Sequence, residues 1–507
     1  MLSVDGQSLG VDDFVRVARE GEKVRLAPAA AKRVDASRKA LEKIIAGGAV
    51  AYGIKTGFGE LEHVVISDSD AKKLQLNLLR STAVGQGDPL PAEIVRGALL
   101  LRANTLAKGY SGVRRELVLL LLEMLNRGVH PRMPSKGSLG ASGDLAPLAH
   151  MGLVLVGEGR AEYHGKVLDG REALSRAGLK PITLDPKEGL ALINGTSVMT
   201  AVGALVLHDG FALLKDAQVA ASMSFEALRG SPAPYDDRYV SLKPQPGARE
   251  VAANLRRLLR GSEIIPSHKG PHRVQDPYSL RCIPQVMGAC RAALDHAAQI
   301  VRIEMNSATD NPLIFPDEVE SVSGGNFHGQ AVAMVLDHVA LALAVLAGFS
   351  ERRTARLVDG RLSELPAFLT KEGGLNSGMM IVQYVAAGYA SDNKVLAHPA
   401  SADSIPTSAN QEDYVPMGMS AALKAREALS NAAHVVALEY LTAAQGLEFL
   451  EPLKAGMGPR AARTFLRKEI PPLKDDRVMA DEVTRILEWM KAGELVAAAE
   501  KAAGTLA

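Results

Sequence analysis

Between residues 137 and 148 the chain reads Gly-Ser-Leu-Gly-Ala-Ser-Gly-Asp-Leu-Ala-Pro-Leu, and within it Ala141-Ser142-Gly143 leaves the backbone almost bare of side chains. Gly143 has access to φ/ψ values closed to other residues, so its amide nitrogen can fold back on the carbonyl carbon of Ala141. Ring closure between those atoms, with loss of water from the ring and from the Ser142 side chain, gives a methylidene-imidazolone. Its exocyclic carbon is an electrophile, which no ordinary side chain supplies. Taken alone, an Ala-Ser-Gly is a flexible turn ahead of a helix. A phosphate-binding loop would end in Gly-Lys-Ser/Thr, which is missing. The nucleophile-elbow pattern Gly-x-Ser-x-Gly fails because Asp144 stands where the second glycine belongs.

The rest of the chain must hold that tripeptide in place. Its 507 residues could make about three average domains, and 47% apolar residues are ample for a large core. Aromatic residues are only 4% while Ala and Leu abound, which favours helices packed closely through small side chains. The predicted architecture is mostly α: a long central helix bundle with a smaller N-terminal mixed, loop-rich region carrying the reactive stretch. In chain order this divides into residues 1–200, a helical bundle over 201–460 and a helical appendage over 461–507. Helices are predicted over Val11–Glu20, Pro28–Ala46, Leu74–Val84, two between Ile94 and Arg127, and Leu423–Leu450, with a small hairpin near Gly165–Leu168.

Composition also limits the partners. A net charge of +1 with 23% charged residues gives no reason to expect nucleic acid or an anionic membrane. The uninterrupted apolar runs Leu117–Leu122 and Val339–Ala347 are too short to span a bilayer. The start has no basic or apolar signal-peptide region, so a cytoplasmic location is expected. Two cysteines, Cys282 and Cys290, are too few for a disulfide framework or a cysteine metal site, and no metal is expected.

Several further stretches carry groups suited to chemistry. Tyr52-Gly53-Ile54-Lys55-Thr56-Gly57-Phe58-Gly59 has three glycines in a loop able to bend sharply. A lone loop tyrosine is most often packing. Asn194 could simply cap a helix, and Gln275, Tyr278 and Arg281 could brace a helix entrance. Phe327 most simply belongs to a core. Paired acids such as Glu412-Asp413 commonly only favour a helix N-terminus.

Together these stretches resemble the histidine and aromatic amino acid ammonia-lyase family, in the family's order from Tyr52 to Glu412. The resemblance implies a homotetramer with sites built from three subunits. It implies a 4-methylidene-imidazol-5-one formed from Ala141, Ser142 and Gly143 without any external cofactor. It makes Tyr52 a mobile acid/base group, Ser81-Thr82 the substrate-selectivity pair, and Asn194 a contact of the cofactor or the substrate carboxylate. Gln275 and Tyr278 would lie near the cofactor, Arg281 would clamp the carboxylate, and Phe327 would pack against the ring. Gln411-Glu412-Asp413 matches the histidine-selective members, whereas aromatic lyases generally carry Gln in place of the Glu. Lys55 and Thr82 depart from the histidine pattern, which has Asn and His there.

The expected activity is elimination of ammonia from L-histidine to give urocanate. Guanidinium holds a carboxylate by two parallel hydrogen bonds, which agrees with Arg281 as the clamp. A carboxylate at Glu412 suits a ring bearing N–H groups and sits poorly over an unsubstituted phenyl ring. A tyrosine or phenylalanine ammonia-lyase, or a 2,3-aminomutase, is the alternative on the same scaffold. A non-catalytic helical oligomer is the second, and the intact tripeptide argues against it.

Overall fold

The computed structural model describes residues 1–47, 56, 61, 63–64, 66–67, 70–268 and 274–507. Among them are 21 α-helices and four small sheets of two or three strands, so the architecture is mostly α as expected. Two compact units account for the chain. One comprises Met1–His208, Ala297–Asp337 and Pro399–Leu423; the other comprises Asp209–His296, His338–His398 and Lys424–Ala507. Four long helices, Ser197–Ala227, Ile283–Met305, Gln330–Val358 and Gly418–Glu448, begin in one unit and end in the other.

In the first unit the helix Ala92–Ala107 is buried on all its faces from Gly97 to Ala107, the behaviour of a helix with no polar stripe. Gly97 makes its contact with the helix Val11–Ala18 possible, because a Cβ there would fall 2.5 Å from the Phe14 ring. The Leu-rich helix Arg115–Arg127 turns Leu117, Val118, Leu121 and Leu125 inward and stops at Gly128, whose φ of +71° is a left-handed cap. The expected hairpin is Arg160–Tyr163 with Lys166–Asp169, and His130–Pro131 adds a third antiparallel strand. A two-stranded parallel pair, Leu2–Val4 with Val24–Leu26, was not visible in the periodicity, because three residues are too few to show alternation.

The second unit packs through alanine. Ala425, Ala428, Ala432, Ala437, Ala443 and Ala444 of Gly418–Glu448 are fully buried, as the low aromatic content anticipates. One buried ion pair lies in it: Arg353 holds Glu439 by two hydrogen bonds of 2.6 and 2.7 Å. Ser224 and Ser350 also donate to that carboxylate. Two helices, Ser197–Ala227 and Gln330–Val358, are long and apolar enough to cross a membrane, yet 78% and 61% of their apolar windows are buried within the structure. Counting uninterrupted runs hid both, since isolated polar residues break them up.

Asp216 and Tyr440 form a buried polar pair in this unit, the phenol donating to Oδ1 at 3.1 Å. Burial pushes the Asp216 carboxyl up to about 8, and the hydrogen bond from Tyr440 only partly opposes it. A carboxyl that holds its proton more tightly when folded contributes stability that is complete below about pH 4 and is lost as pH rises through about 8. Asp216→Asn should therefore flatten the decline in Tm between about pH 5 and 8. Thermal unfolding across that range checks it, and a slope matching the parent protein would refute it.

Candidate active site

Two stretches of chain meet backbone to backbone at Gly143 and Gly195. The Gly195 amide donates to the Ser142 carbonyl at 3.1 Å, and the Asp144 amide donates to the Gly195 carbonyl at 2.8 Å. Neither glycine has room for a side chain. A Cβ on Gly143 would lie 2.1 Å from the Gly195 carbonyl carbon, and one on Gly195 would lie 2.2 Å from the Thr309 carbonyl oxygen. Gly143 also sits at φ +76°, in the left-handed region.

Asp144, next along, is fully buried and fastens this turn to a helix. Its Oδ2 accepts from the Val198 and Met199 amides at 2.8 and 2.9 Å, satisfying donors left free at the start of Ser197–Ala227. Ser138 donates to Oδ1 at 2.9 Å. Burial nevertheless raises the Asp144 carboxyl to about 6, the hydrogen bonds pulling the other way. Behind it Arg102, also buried, donates to the Asn194 carbonyl at 2.6 Å. Lys187 pairs with Asp310 at 2.7 Å with both side chains sealed from solvent.

On the open side, Ala141 packs with Val415 and Met417. The Ser142 hydroxyl donates to Glu412 Oε1 at 2.9 Å. Thr407 fixes the other carboxylate oxygen, donating to Oε2 at 2.9 Å, while the two residues exchange backbone hydrogen bonds of 2.9 and 3.2 Å. Ser408, Ala409 and Asn410 lie between them with φ of +52°, +51° and +69°, three successive left-handed residues without a glycine. Each such residue stores on the order of 1 kcal/mol or more of strain, a feature that gathers at functional sites. Nothing in the residue types announced it.

A cavity of about 740 Å³ opens beside Ser142, a size suited to a small molecule. Of the residues singled out from the sequence, Thr82, Ala141, Ser142, Asn194, Phe327, Gln411 and Glu412 line it. Gly143 is not among the lining residues. Ser81 is exposed and donates to the Leu78 carbonyl at 3.2 Å instead. Gln275, Tyr278 and Arg281 belong to the other unit and are not among the lining residues. There the Arg281 guanidinium lies over the Tyr278 ring at 4.5 Å, and Tyr278 is 68% exposed. Tyr52 lies outside the described residues. Asn311 and Tyr414 also line the cavity. The Asn311 carbonyl accepts from Asn194 Nδ2 at 3.2 Å. For Tyr414, adjacency to Glu412-Asp413 was the one available signal.

The bare backbone at Gly143 and the serine hydroxyl held against a carboxylate fit the ring closure inferred from the sequence. The model for the family described as aromatic amino acid lyase matches residues 9–468. The chain belongs to that family. As an aromatic amino acid lyase it is a carbon–nitrogen lyase. It is 51% identical over 501 residues to a histidine ammonia-lyase of Alkaliphilus oremlandii, covering 99% of both chains. Among solved structures it resembles histidine ammonia-lyase from Trypanosoma cruzi, with a TM-score of 0.92, 40% identity and coverage of 99% and 95% of the two chains. It also resembles tyrosine aminomutase from Streptomyces globisporus, with a TM-score of 0.95, 36% identity and full coverage of both.

The Gly143–Gly195 contact should not survive a methyl group. Gly143→Ala is expected to lower stability by about 2 kcal/mol or more through clash and positive φ together. Thermal unfolding measures this, and a Tm equal to the parent's would show that the contact is looser than described.

Proposed function

We propose that the protein eliminates ammonia from L-histidine to give urocanate. The observation that carries this reading is Glu412, a carboxylate placed against Ser142 in the cavity of a chain about half identical to histidine ammonia-lyases. Glu412 belongs where a ring with N–H groups needs an acceptor, and an unsubstituted phenyl ring would leave it unpaired in an enclosed site.

The tripeptide is read as the source of the methylidene-imidazolone, which supplies the electrophilic carbon that turns the amine into a better leaving group. Loss of the Ser142 oxygen on its formation frees Glu412 Oε1 for the imidazole, while Thr407 continues to hold Oε2. Glu412 then orients or deprotonates that ring. Asn194 faces the cavity near the substrate carboxylate, and Phe327 forms an apolar wall. Thr82 and Gln411 shape the side-chain end, and Ser81 is the neighbouring member of the selectivity pair. Tyr52 serves as the acid/base group, its phenol needing a depressed pKa near neutrality. Gln275, Tyr278 and Arg281 join from neighbouring copies of the chain in a homotetramer, where Arg281 fixes the carboxylate and aligns the bonds to be broken. A cytoplasmic location accords with this reading.

Incubation with L-histidine should produce the ultraviolet absorbance of urocanate, and silence with histidine but turnover of tyrosine or phenylalanine would overturn the substrate. Peptide mapping should find the segment containing Ala141–Gly143 lighter by two waters, about 36 Da. Ser142→Ala should restore the unmodified peptide mass, abolish turnover and leave the Tm within a few degrees. Glu412→Gln should lower kcat/KM for histidine about 10²- to 10⁴-fold, the range for loss of a positioned acid/base group. Retention of parent activity in that variant would remove Glu412 from the reaction.

A further inference from the structure

A second cavity, of about 370 Å³, lies in the first unit among Arg132, Arg160, His150, Leu153 and the glycines Gly85 and Gly87. None of these residues takes part in the chemistry above. The Arg132 amide donates to the Arg160 carbonyl at 2.8 Å, continuing the register that pairs Pro131 with Ala161. The two arginines therefore face each other across adjacent antiparallel chain segments. Like charges in that position repel, and sheets usually avoid them or place an acid between them.

Neither guanidinium makes a hydrogen bond or an ion pair among the described residues. The nearby Glu158 is engaged by Arg80, whose Nε donates to it at 3.0 Å. Asp169 stands opposite Arg160 on the far strand of the hairpin without forming an ion pair with it. His150 adds a third group: its Nε2 is sealed from solvent with no hydrogen-bond partner, an unusual state for a buried polar atom. It sits against Gly85, where a Cβ would come within 3.4 Å of it, so glycine lets the turn pass close to the ring. Gly87, at φ +86°, lies at the irregularity in the strand Gln86–Pro89.

Two exposed guanidiniums without protein partners, side by side on one cavity, form the counterpart of a compact multivalent anion. We propose that this cavity binds an oxyanion of the phosphate type, either free phosphate or a phosphate monoester. Guanidinium forks match tetrahedral oxyanions by paired hydrogen bonds, and the His150 ring walls the same cavity. A bound anion also removes the repulsion between the arginines.

The full-length protein is titrated with inorganic phosphate, glycerol phosphate and succinate, each against sodium chloride at equal ionic strength, with thermal unfolding and equilibrium dialysis as readouts. Phosphate, its monoester or both should raise the Tm saturably and bind at one site per chain. Arg132→Gln with Arg160→Gln should weaken that binding at least about tenfold, the loss of a charge-assisted contact. Without phosphate, Arg160→Gln should melt at or above the parent, since it relieves the repulsion. If the double variant does not fold, Arg132→Lys, which keeps the charge and loses the fork, must still show weakened binding. An equal response to chloride, a response to succinate alone, or undiminished binding in the substituted proteins would overturn the proposal.

Discussion

Gly143 and Gly195 approach so closely that neither tolerates a Cβ, and the two hydrogen bonds between their strands leave no slack in register. From this contact the remainder of the first unit's centre follows. It sets the direction in which Ser142 leaves the backbone and so brings its hydroxyl to Glu412. It also delivers Asp144 to the start of Ser197–Ala227, where one carboxylate ties the turn to a 31-residue helix. Because the contact is made by main chain alone, no rotamer change can loosen it.

Behind that contact the charges are arranged to hold shape. Arg102, Asp144, Lys187 and Asp310 are all buried, and burial lowers the Arg102 guanidinium to about 10 while raising Asp144 to about 6. Such groups add little net stability over an apolar core, but removing one partner leaves an uncompensated charge at a cost of about 3–5 kcal/mol. The arrangement therefore penalises every alternative packing near Asn194 and Gly195 more than it rewards the native one. On the cavity side the left-handed run Ser408–Asn410 has the same effect, fixing Glu412 through Thr407 at some conformational expense.

Much of this was legible in the residues, and the limits were physical. Apolar spacing located the helices Pro28–Ala46 and Gly418–Glu448 to within a few residues, because a helix buried along one stripe repeats its pattern many times. The tripeptide and Glu412 stood out through chemistry and family order, and both line one cavity. What the sequence hid was non-local. That Gly195 exists to meet Gly143, that Arg102 braces Asn194, or that Arg132 confronts Arg160 depends on contacts between distant segments, which no window of neighbouring residues encodes. Ser408 and Ala409 are equally silent, since neither favours the left-handed backbone that its surroundings impose, whereas Asn410 adopts it readily. Arg281 and Tyr278 belong to the second unit, and residue type alone does not say in which unit a side chain falls.

The pairing of Gly143 with Gly195 also governs timing. On an extended polypeptide Ala141-Ser142-Gly143 is a plain, pliable stretch, no different from any run of small residues. Its bent shape arises only after the segment carrying Gly195 has been synthesised and has come to rest beside it. Any reactivity that the bend confers is thus withheld from the nascent chain and from partly folded forms.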